Sequence, residues 1–317
     1  MEKINEIIEK ELTENNIYNI EEFTYLSNMI NIILSENLPS KEQKYKIRVP
    51  LYKSIKYTNM FLEFLDPSYA NIFLKRLENN QIEFEKDYED NNKIALSDMK
   101  NNENYIYIPY QNNIGDTFMM THEMIHDMSL EPEISLARSF YCEVFSLLSE
   151  KLQKDYFKKY FHIKEYQINE KNMLCYMKEN TICIEFELRL ISEYLEKGYL
   201  TKMDILNVIE TFDMKYAVLL WTHVKTILEE KEFTLFLQQR YVVGYLLASF
   251  MHERILNDPK KIEEFLELNE IINDYTEKDF LDYLGLELDN GYYFNLTEES
   301  YKQLQKSYHN EVKRVRS

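Results

Sequence analysis

His122, Glu123 and His126 stand in the spacing H-E-x-x-H within "YIYIPYQNNIGDTFMMTHEMIHDMSL", residues 105–130. On a helix, residues four apart share a face, so the two imidazoles can be presented to one tetrahedral ion. Glu123, next to the first histidine, can reach a water held by that ion, take its proton and pass it to a leaving amine. The chemistry is peptide-bond hydrolysis, with one Zn2+ per chain as the expected cofactor and His122 and His126 as metal ligands. Chance is the competing explanation: with six histidines in the chain, this spacing arises on the order of one time in a hundred. The alternating run "YIYIPY" directly upstream suits a peptidase cleft, because a strand edge can pair with the backbone of an extended substrate. Tyr105 and Tyr107 on that run are read as substrate-binding.

A catalytic zinc takes three protein ligands and keeps a position for water. The metzincin pattern would need glycine at position 129 and histidine at 132, but the chain has Ser129 and Pro132. In "FYCEVFSLLSE", Glu143 sits among apolar neighbours, where an unpaired carboxylate is costly and a ligating one is satisfied. Seventeen residues separate it from His126, enough to end one helix, turn and lay a second beside it. Glu150, seven positions on and on the same face, is the rival, better suited to support a ligand or to sit at a solvated helix end. Glu131 and Glu133 flank a proline and look exposed.

The elements that must position these groups are mainly helical. Leu, Ile, Glu, Lys, Asn and Tyr are plentiful, and only five glycines and six prolines occur in 317 residues. Helical periods run through residues 1–85, with Pro39, Pro50 and Pro67 as interruptions. Residues 86–112 read as a small sheet, built from "QIEFEKDYED", "KIALSD" and "YIYIPY" around the Asn-rich turn "MKNNEN". Residues 113–317 return to helices, including one long run, "YAVLLWTHVKTILEEKEFTLFLQQRYVVGYLLASFMHERILND". With no repeat, linker or boundary signal, 1–317 reads as a single compact catalytic domain. A formal charge of −18 opposes nucleic acid and anionic membrane as partners. The acidic start lacks the marks of a signal peptide, and the apolar stretch near residue 245 meets His252, Glu253 and Arg254 too soon to span a bilayer. Cys142, Cys175 and Cys183 suggest neither a disulfide framework nor a thiolate metal site. A cytoplasmic protein with a peptide substrate fits these features.

The segments together resemble the M3 family of metallopeptidases, the thimet oligopeptidase group, and most closely its oligoendopeptidase F type. "YIYIPYQNNIGDTFMMTHEMIH" is similar to the family's strand and zinc helix, and "CEVFSLLSE" to its E-V-x-S-x-x-x-E segment, whose first glutamate is the zinc ligand; that role falls on Glu143. "RYVVGYLLASFMHERIL" resembles the Y-A-x-G helix, and residues 265–305 the family's C-terminal segment. The likeness runs from about residue 40 to the end. It implies a gluzincin-type helical bowl with a small β-sheet beside the H-E-x-x-H helix, zinc dependence and short unfolded peptides as substrates.

The chain departs from the family in having Ile125 where H-E-x-G-H has glycine, a shorter loop between His126 and Glu143, and no third histidine after the motif. Where the family places a His and Tyr pair for substrate binding and the oxyanion, "KEFTLFLQQRY" offers Lys231 and Phe233. Tyr241, at the Y of Y-A-x-G, is the first replacement as oxyanion donor and Tyr245 the second, although among 26 tyrosines either could be core packing. Arg240 is read as substrate-binding; it or Lys231 could supply charge. His252 reads as a satisfied core histidine, and Trp221 and the methionines of "FMMTHEM" as core. His162, His223 and His309 carry no signal. Two functions remain: a zinc endopeptidase, or a weak or inactive peptide-binding or maturation-accessory protein that keeps the zinc.

Overall fold

A computed structural model describes residues 2–14, 17–39, 41–87, 94–100, 103–129, 136–161, 165–230, 233–271, 276–289 and 295–316. Glu131, Glu133, His162 and Lys231 lie outside these segments. The chain opens with α1 (Glu2–Glu14), α2 (Thr24–Leu34), α3 (Leu51–Leu65) and α4 (Pro67–Glu78). Pro50 precedes α3, and Pro67 opens α4 behind Asp66, whose carboxylate accepts the Ser68 N–H at 2.6 Å. Proline is tolerated there because the first helical N–H has no partner within the helix.

Three strands follow: β1 (Ile82–Lys86), β2 (Leu96–Lys100) and β3 (Glu103–Tyr110). The sheet therefore starts at residue 82, four before the expected boundary, because Ile82 and Phe84 alternate with Glu83 and Glu85 and already face the core. Its order is β1-β3-β2, with β3 parallel to β1 and antiparallel to β2. Ile106 and Ile108 on β3 are buried. The strand that precedes the metal motif is thus the centre of the sheet.

The helical body comprises α5 (Gly115–Ser129), α6 (Leu136–Tyr160), α7 (Tyr166–Lys197), α8 (Lys202–Glu210), α9 (Ala217–Glu229), α10 (Gln239–Asn257), α11 (Lys261–Ile271), α12 (Glu277–Leu284) and α13 (Glu298–Arg316). One hydrophobic cluster runs through it from Ile4 to Val315. α6 lies along α10 on one side and α5 on the other, so the helix bearing Glu143 is sandwiched between the motif helix and the Y-x-x-G helix. Gly244 on α10 permits this closeness, since a Cβ there would fall 3.0 Å from the Glu143 Cβ.

The long run from residue 216 to 258 is broken, with α9 ending at Glu229 and α10 starting at Gln239. At that corner Phe236 takes a φ of 59°, a conformation that costs a side-chain-bearing residue about 1–3 kcal/mol. Its N–H donates to Glu187 Oε2 at 2.5 Å, and its ring lies 5.1 Å from that of Phe23. Glu187 Oε1 also lies 2.7 Å from His223 Nε2. Burial disfavours the imidazolium, but bonding to Cys183 and Glu187 outweighs this and lifts His223 to about 10. His252 is fully buried between Asp155 Oδ2 at 2.9 Å and Glu311 Oε2 at 3.2 Å, a core histidine with both nitrogens partnered. Trp221 is not core: it is 40% exposed, because Leu220, Val224 and Ile227 form the buried stripe of α9 and residue 221 lies a helical step off it. Among the described residues no helix is long and apolar enough to cross a membrane, and Cys175 and Cys183 are free and buried.

Candidate metal centre

The motif helix α5 is fastened at both ends. At its start, Asp116 accepts the N–H groups of Gln111 at 2.9 Å and Asn113 at 3.1 Å, and Asn113 Oδ1 accepts that of Gly115 at 2.7 Å. These bonds tie the end of β3 to the first turn. Burial pushes Asp116 up to about 6, against the opposing pull of those N–H groups. At the far end, buried Asp127 pairs with Arg76 Nε at 3.0 Å, and Asn104 donates to the Asp127 carbonyl at 3.1 Å. In between, Ser97 of β2 donates to the Glu123 carbonyl at 2.9 Å and Ser146 of α6 to the His122 carbonyl at 3.1 Å. Hydroxyls from both sides thereby hold the backbone at the motif.

From this helix His122 and His126 turn their Nε2 atoms toward each other, 2.9 Å apart, and Glu143 Oε2 lies 3.4 and 3.6 Å from them. A tetrahedral ion about 2.0–2.1 Å from each nitrogen holds its ligand atoms roughly 3.3 Å apart, so the spacing suits one small cation. Glu143 is 4% exposed, and its Oε2 is buried with no hydrogen-bond partner. A carboxylate oxygen in that condition is expensive unless a cation satisfies it. Two imidazoles and a carboxylate are the donor set of a catalytic zinc, and among the described residues this is the one cluster whose ligand atoms converge. The residues present therefore fit the ion.

Glu150 Oε1 lies 2.8 Å from His122 Nδ1, and Asn169 donates to Glu150 Oε2 at 3.2 Å. A proton held on Nδ1 by that carboxylate leaves the Nε2 lone pair for a metal. Burial disfavours the charged ring of His122, yet the neighbouring Glu143 and Glu150 carboxylates raise it well above the ordinary histidine range. Burial likewise acts to raise Glu143, but the two histidines overcome it and hold the carboxyl well below its usual range. Burial raises Glu123, and the histidine charges only partly offset the effect. Of the two carboxylates Glu123 is thus the more basic.

A cavity of about 370 Å³ opens over this cluster. His122, Glu123 and Glu150 form part of its lining; Ile94 and Ala95 bring in the approach to β2, and Tyr176 of α7 and Tyr241 of α10 stand on the wall as well. Tyr241 is the expected phenol that reaches the cavity.

Four other expected site residues lie elsewhere. Tyr105 and Tyr107 cannot offer a strand edge, because both sides of β3 are paired; their hydroxyls bond Glu83 and, at 2.6 Å, Glu85 on β1. Tyr245, 2% exposed, is core: Lys151 Nζ sits 3.6 Å from its ring centroid and Tyr308 packs against it. One helical turn below Tyr241, it has passed from the cavity wall into the seam between α6, α10 and α13. Arg240 is not among the described lining residues; its Nη2 donates to the Tyr241 hydroxyl at 3.0 Å, and its Nε is 3.7 Å from Glu143 Oε1. Phe233 packs against the His223 ring at 5.8 Å. Sequence reading missed Ile94, Ala95, Asn169 and Tyr176. Only the strand-like segment "KIALSD", which contains Ile94 and Ala95, could have drawn attention to any of them.

No family model and no curated protein matches the sequence. Solved structures do match. A chain from Chlamydophila abortus, provisionally designated a peptidase, is 15% identical and covers 99% of this chain and 55% of its own, with a TM-score of 0.58. One from Bacillus anthracis, provisionally designated an oligoendopeptidase F, is 13% identical, covers 99% and 56%, and has a TM-score of 0.61. PZ peptidase A, solved with an inhibitor, is 12% identical, covers 96% and 58%, and has a TM-score of 0.56. The chain thus spans a little over half the length of the solved chains it matches. Its mainly helical fold, with a small sheet beside the motif helix, is the fold of these oligoendopeptidase-like proteins.

Proposed function

We propose that this chain is a zinc-dependent endopeptidase that hydrolyses short, unfolded peptides. The observation that carries the reading is the buried, unpartnered Glu143 Oε2 facing two converging Nε2 atoms, with Glu123 in the lining of the cavity beside them. Bound by His122, His126 and Glu143, zinc would polarise the scissile carbonyl and acidify water. Glu123 takes a proton from the attacking water as the new C–O bond forms, and gives it to the amine nitrogen as the C–N bond breaks. Glu150 and Asn169 hold the His122 ring in place. Substrate backbone pairs not with β3 but with β2, an edge strand whose approach, Ile94 and Ala95, lines the cavity.

The packing of Phe233 against His223, away from the cavity, favours a second reading: a zinc-bearing protein that binds peptides with little or no turnover. Cleavage of a library of short quenched peptides by zinc-loaded protein separates the two. The endopeptidase reading expects turnover in the wild type and none in Glu123→Gln, with about one equivalent of zinc in both. Bound zinc without turnover in either would leave only the binding protein.

A further inference from the structure

Between α2 and α3 the chain runs through residues 43–49 as a strap with neither helix nor strand. Backbone without regular structure must find its hydrogen-bond partners elsewhere. Here they come from the start of α7. Asn172 accepts the Gln43 N–H at 2.7 Å and donates to the Gln43 carbonyl at 3.0 Å. Glu165, which directly precedes α7, accepts the N–H groups of Lys46 at 2.7 Å and Ile47 at 2.9 Å through Oε1. Asn169 stands four residues after Glu165 and three before Asn172, the spacing that gathers side chains on one face of a helix. The strap ends at Val49, whose N–H donates to the Asn112 carbonyl at 2.8 Å and whose side chain is buried with Ile114 and Phe118.

From this strap Tyr45 reaches the cavity wall. Its phenol lies against the first residue of the motif helix, since a Cβ on Gly115 would fall 2.9 Å from the Tyr45 hydroxyl oxygen and 3.0 Å from Cζ. The hydroxyl is 2.9 Å from Asn169 Oδ1, and Asn169 Nδ2 is 3.2 Å from Glu150 Oε2. Chemistry fixes the direction of both bonds. A carboxylate only accepts, so the amide presents its NH2 to Glu150 and its carbonyl to the phenol, which donates. The other Glu150 oxygen, Oε1, meets His122 Nδ1 at 2.8 Å. An unbroken series of hydrogen bonds therefore joins the strap to the ring of a candidate metal ligand.

We propose that Tyr45 is a positioning residue for the metal centre: docking of the strap on α7 sets, through Asn169 and Glu150, the orientation in which His122 Nε2 meets the ion. The proposal rests on the zinc site of the endopeptidase reading, not on turnover. Such coupling is reciprocal: if the docked strap strengthens zinc binding, zinc strengthens docking of the strap by the same factor. Lys44, Lys46 and Arg48 are exposed along the strap, so trypsin can report its opening.

The test combines zinc affinity by chelator competition with the rate of tryptic cleavage after Lys44, Lys46 and Arg48, with and without zinc and counted against cleavage elsewhere in the chain. Wild type, Tyr45→Phe, Glu150→Ala and the double variant are compared. Tyr45→Phe keeps the ring and removes only the hydroxyl, so the strap retains its backbone bonds to Asn172 and Glu165. It is expected to raise the zinc dissociation constant about 5-fold or more, and adding it to Glu150→Ala should cost almost nothing further, because the phenol acts through that carboxylate. Zinc should slow cleavage of the strap in wild type by a similar factor, and this protection should largely vanish in either single variant. A hydroxyl that merely stabilises the strap would speed cleavage equally with and without zinc and leave zinc affinity unchanged, which overturns the proposal. So does a loss of affinity in Tyr45→Phe that adds in full to that of Glu150→Ala. A wild type that binds no zinc overturns the metal centre and the proposal with it. Coupling found in a wild type that cleaves no peptide supports the proposal and overturns the endopeptidase reading alone.

Discussion

At the residue scale, the candidate metal centre should depend on a second carboxylate as much as on the three side chains that converge there. Glu150 meets His122 Nδ1 at 2.8 Å and is itself braced by Asn169, so the ring orientation is set before any ion arrives. Partners of this kind typically change metal affinity by about 10- to 100-fold when removed. Glu150→Ala is therefore expected to raise the zinc dissociation constant by that order, measured by chelator competition, while Glu143→Ala should abolish stoichiometric binding. Equal affinities for wild type and Glu150→Ala would show that packing alone orients the ring. Sequence spacing made His122, Glu123 and His126 legible because a helix converts a four-residue interval into a shared face. Glu143 was legible through its cost, a carboxylate amid Val144, Phe145 and Leu147, all buried. The tyrosines were not: Tyr241 and Tyr245 differ by one helical turn, yet one lines the cavity and the other lies under Lys151, and nothing local to either residue distinguishes them.

At the element scale, the site is a contact between three helices, and the closest approach is where a side chain is missing. A methyl group at Gly244 would lie 3.0 Å from the Glu143 Cβ and 3.4 Å from both its carbonyl carbon and Leu147 Cδ1. Inserting it should push α6 from α10, cost about 1–3 kcal/mol in stability and shift the ligand that α6 carries. Gly198 provides the contrast, with a φ of 75° at the end of α7 and nothing within 4 Å of a built Cβ. Urea unfolding and zinc affinity should both suffer in Gly244→Ala, whereas Gly198→Ala should lose stability alone. Unchanged zinc binding in Gly244→Ala would mean that Glu143 is placed by α5 rather than by α10. The helical periods and the sheet were readable because each depends on neighbours in sequence. The break before α10 was not, since Phe236 is held at positive φ by Glu187 and packed against Phe23, residues 49 and 213 positions away. The place of β3 at the sheet centre was equally hidden, because strand order depends on pairings between segments rather than on any one of them.

At the scale of the whole molecule, charge should select among peptides that the pocket would otherwise accept alike. The chain carries 55 acidic and 37 basic residues, and its cavity is lined by Asp116, Glu123 and Glu150 without a lysine or arginine among the described lining residues. A cleft of one sign with low-dielectric walls concentrates ligands of the other sign and can speed their capture by about 10-fold or more. A cation held by Glu143 and the histidines would act within the site, whereas the net field of the surface acts on the approaching peptide. Two quenched peptides with the same scissile pair and length, one flanked by lysines and the other by glutamates, isolate this effect. The cationic peptide is expected to have the higher kcat/KM at low ionic strength, with the advantage residing in KM rather than kcat. Because exposed charges further apart than about 10 Å are largely screened at 0.1 M salt, the ratio should fall toward one as salt is added. A ratio that favours the cationic peptide but ignores salt would instead locate the preference in a direct contact with Glu150 or Asp116. A preference for the acidic peptide would mean that the bound metal and Arg240 dominate the field that substrates meet.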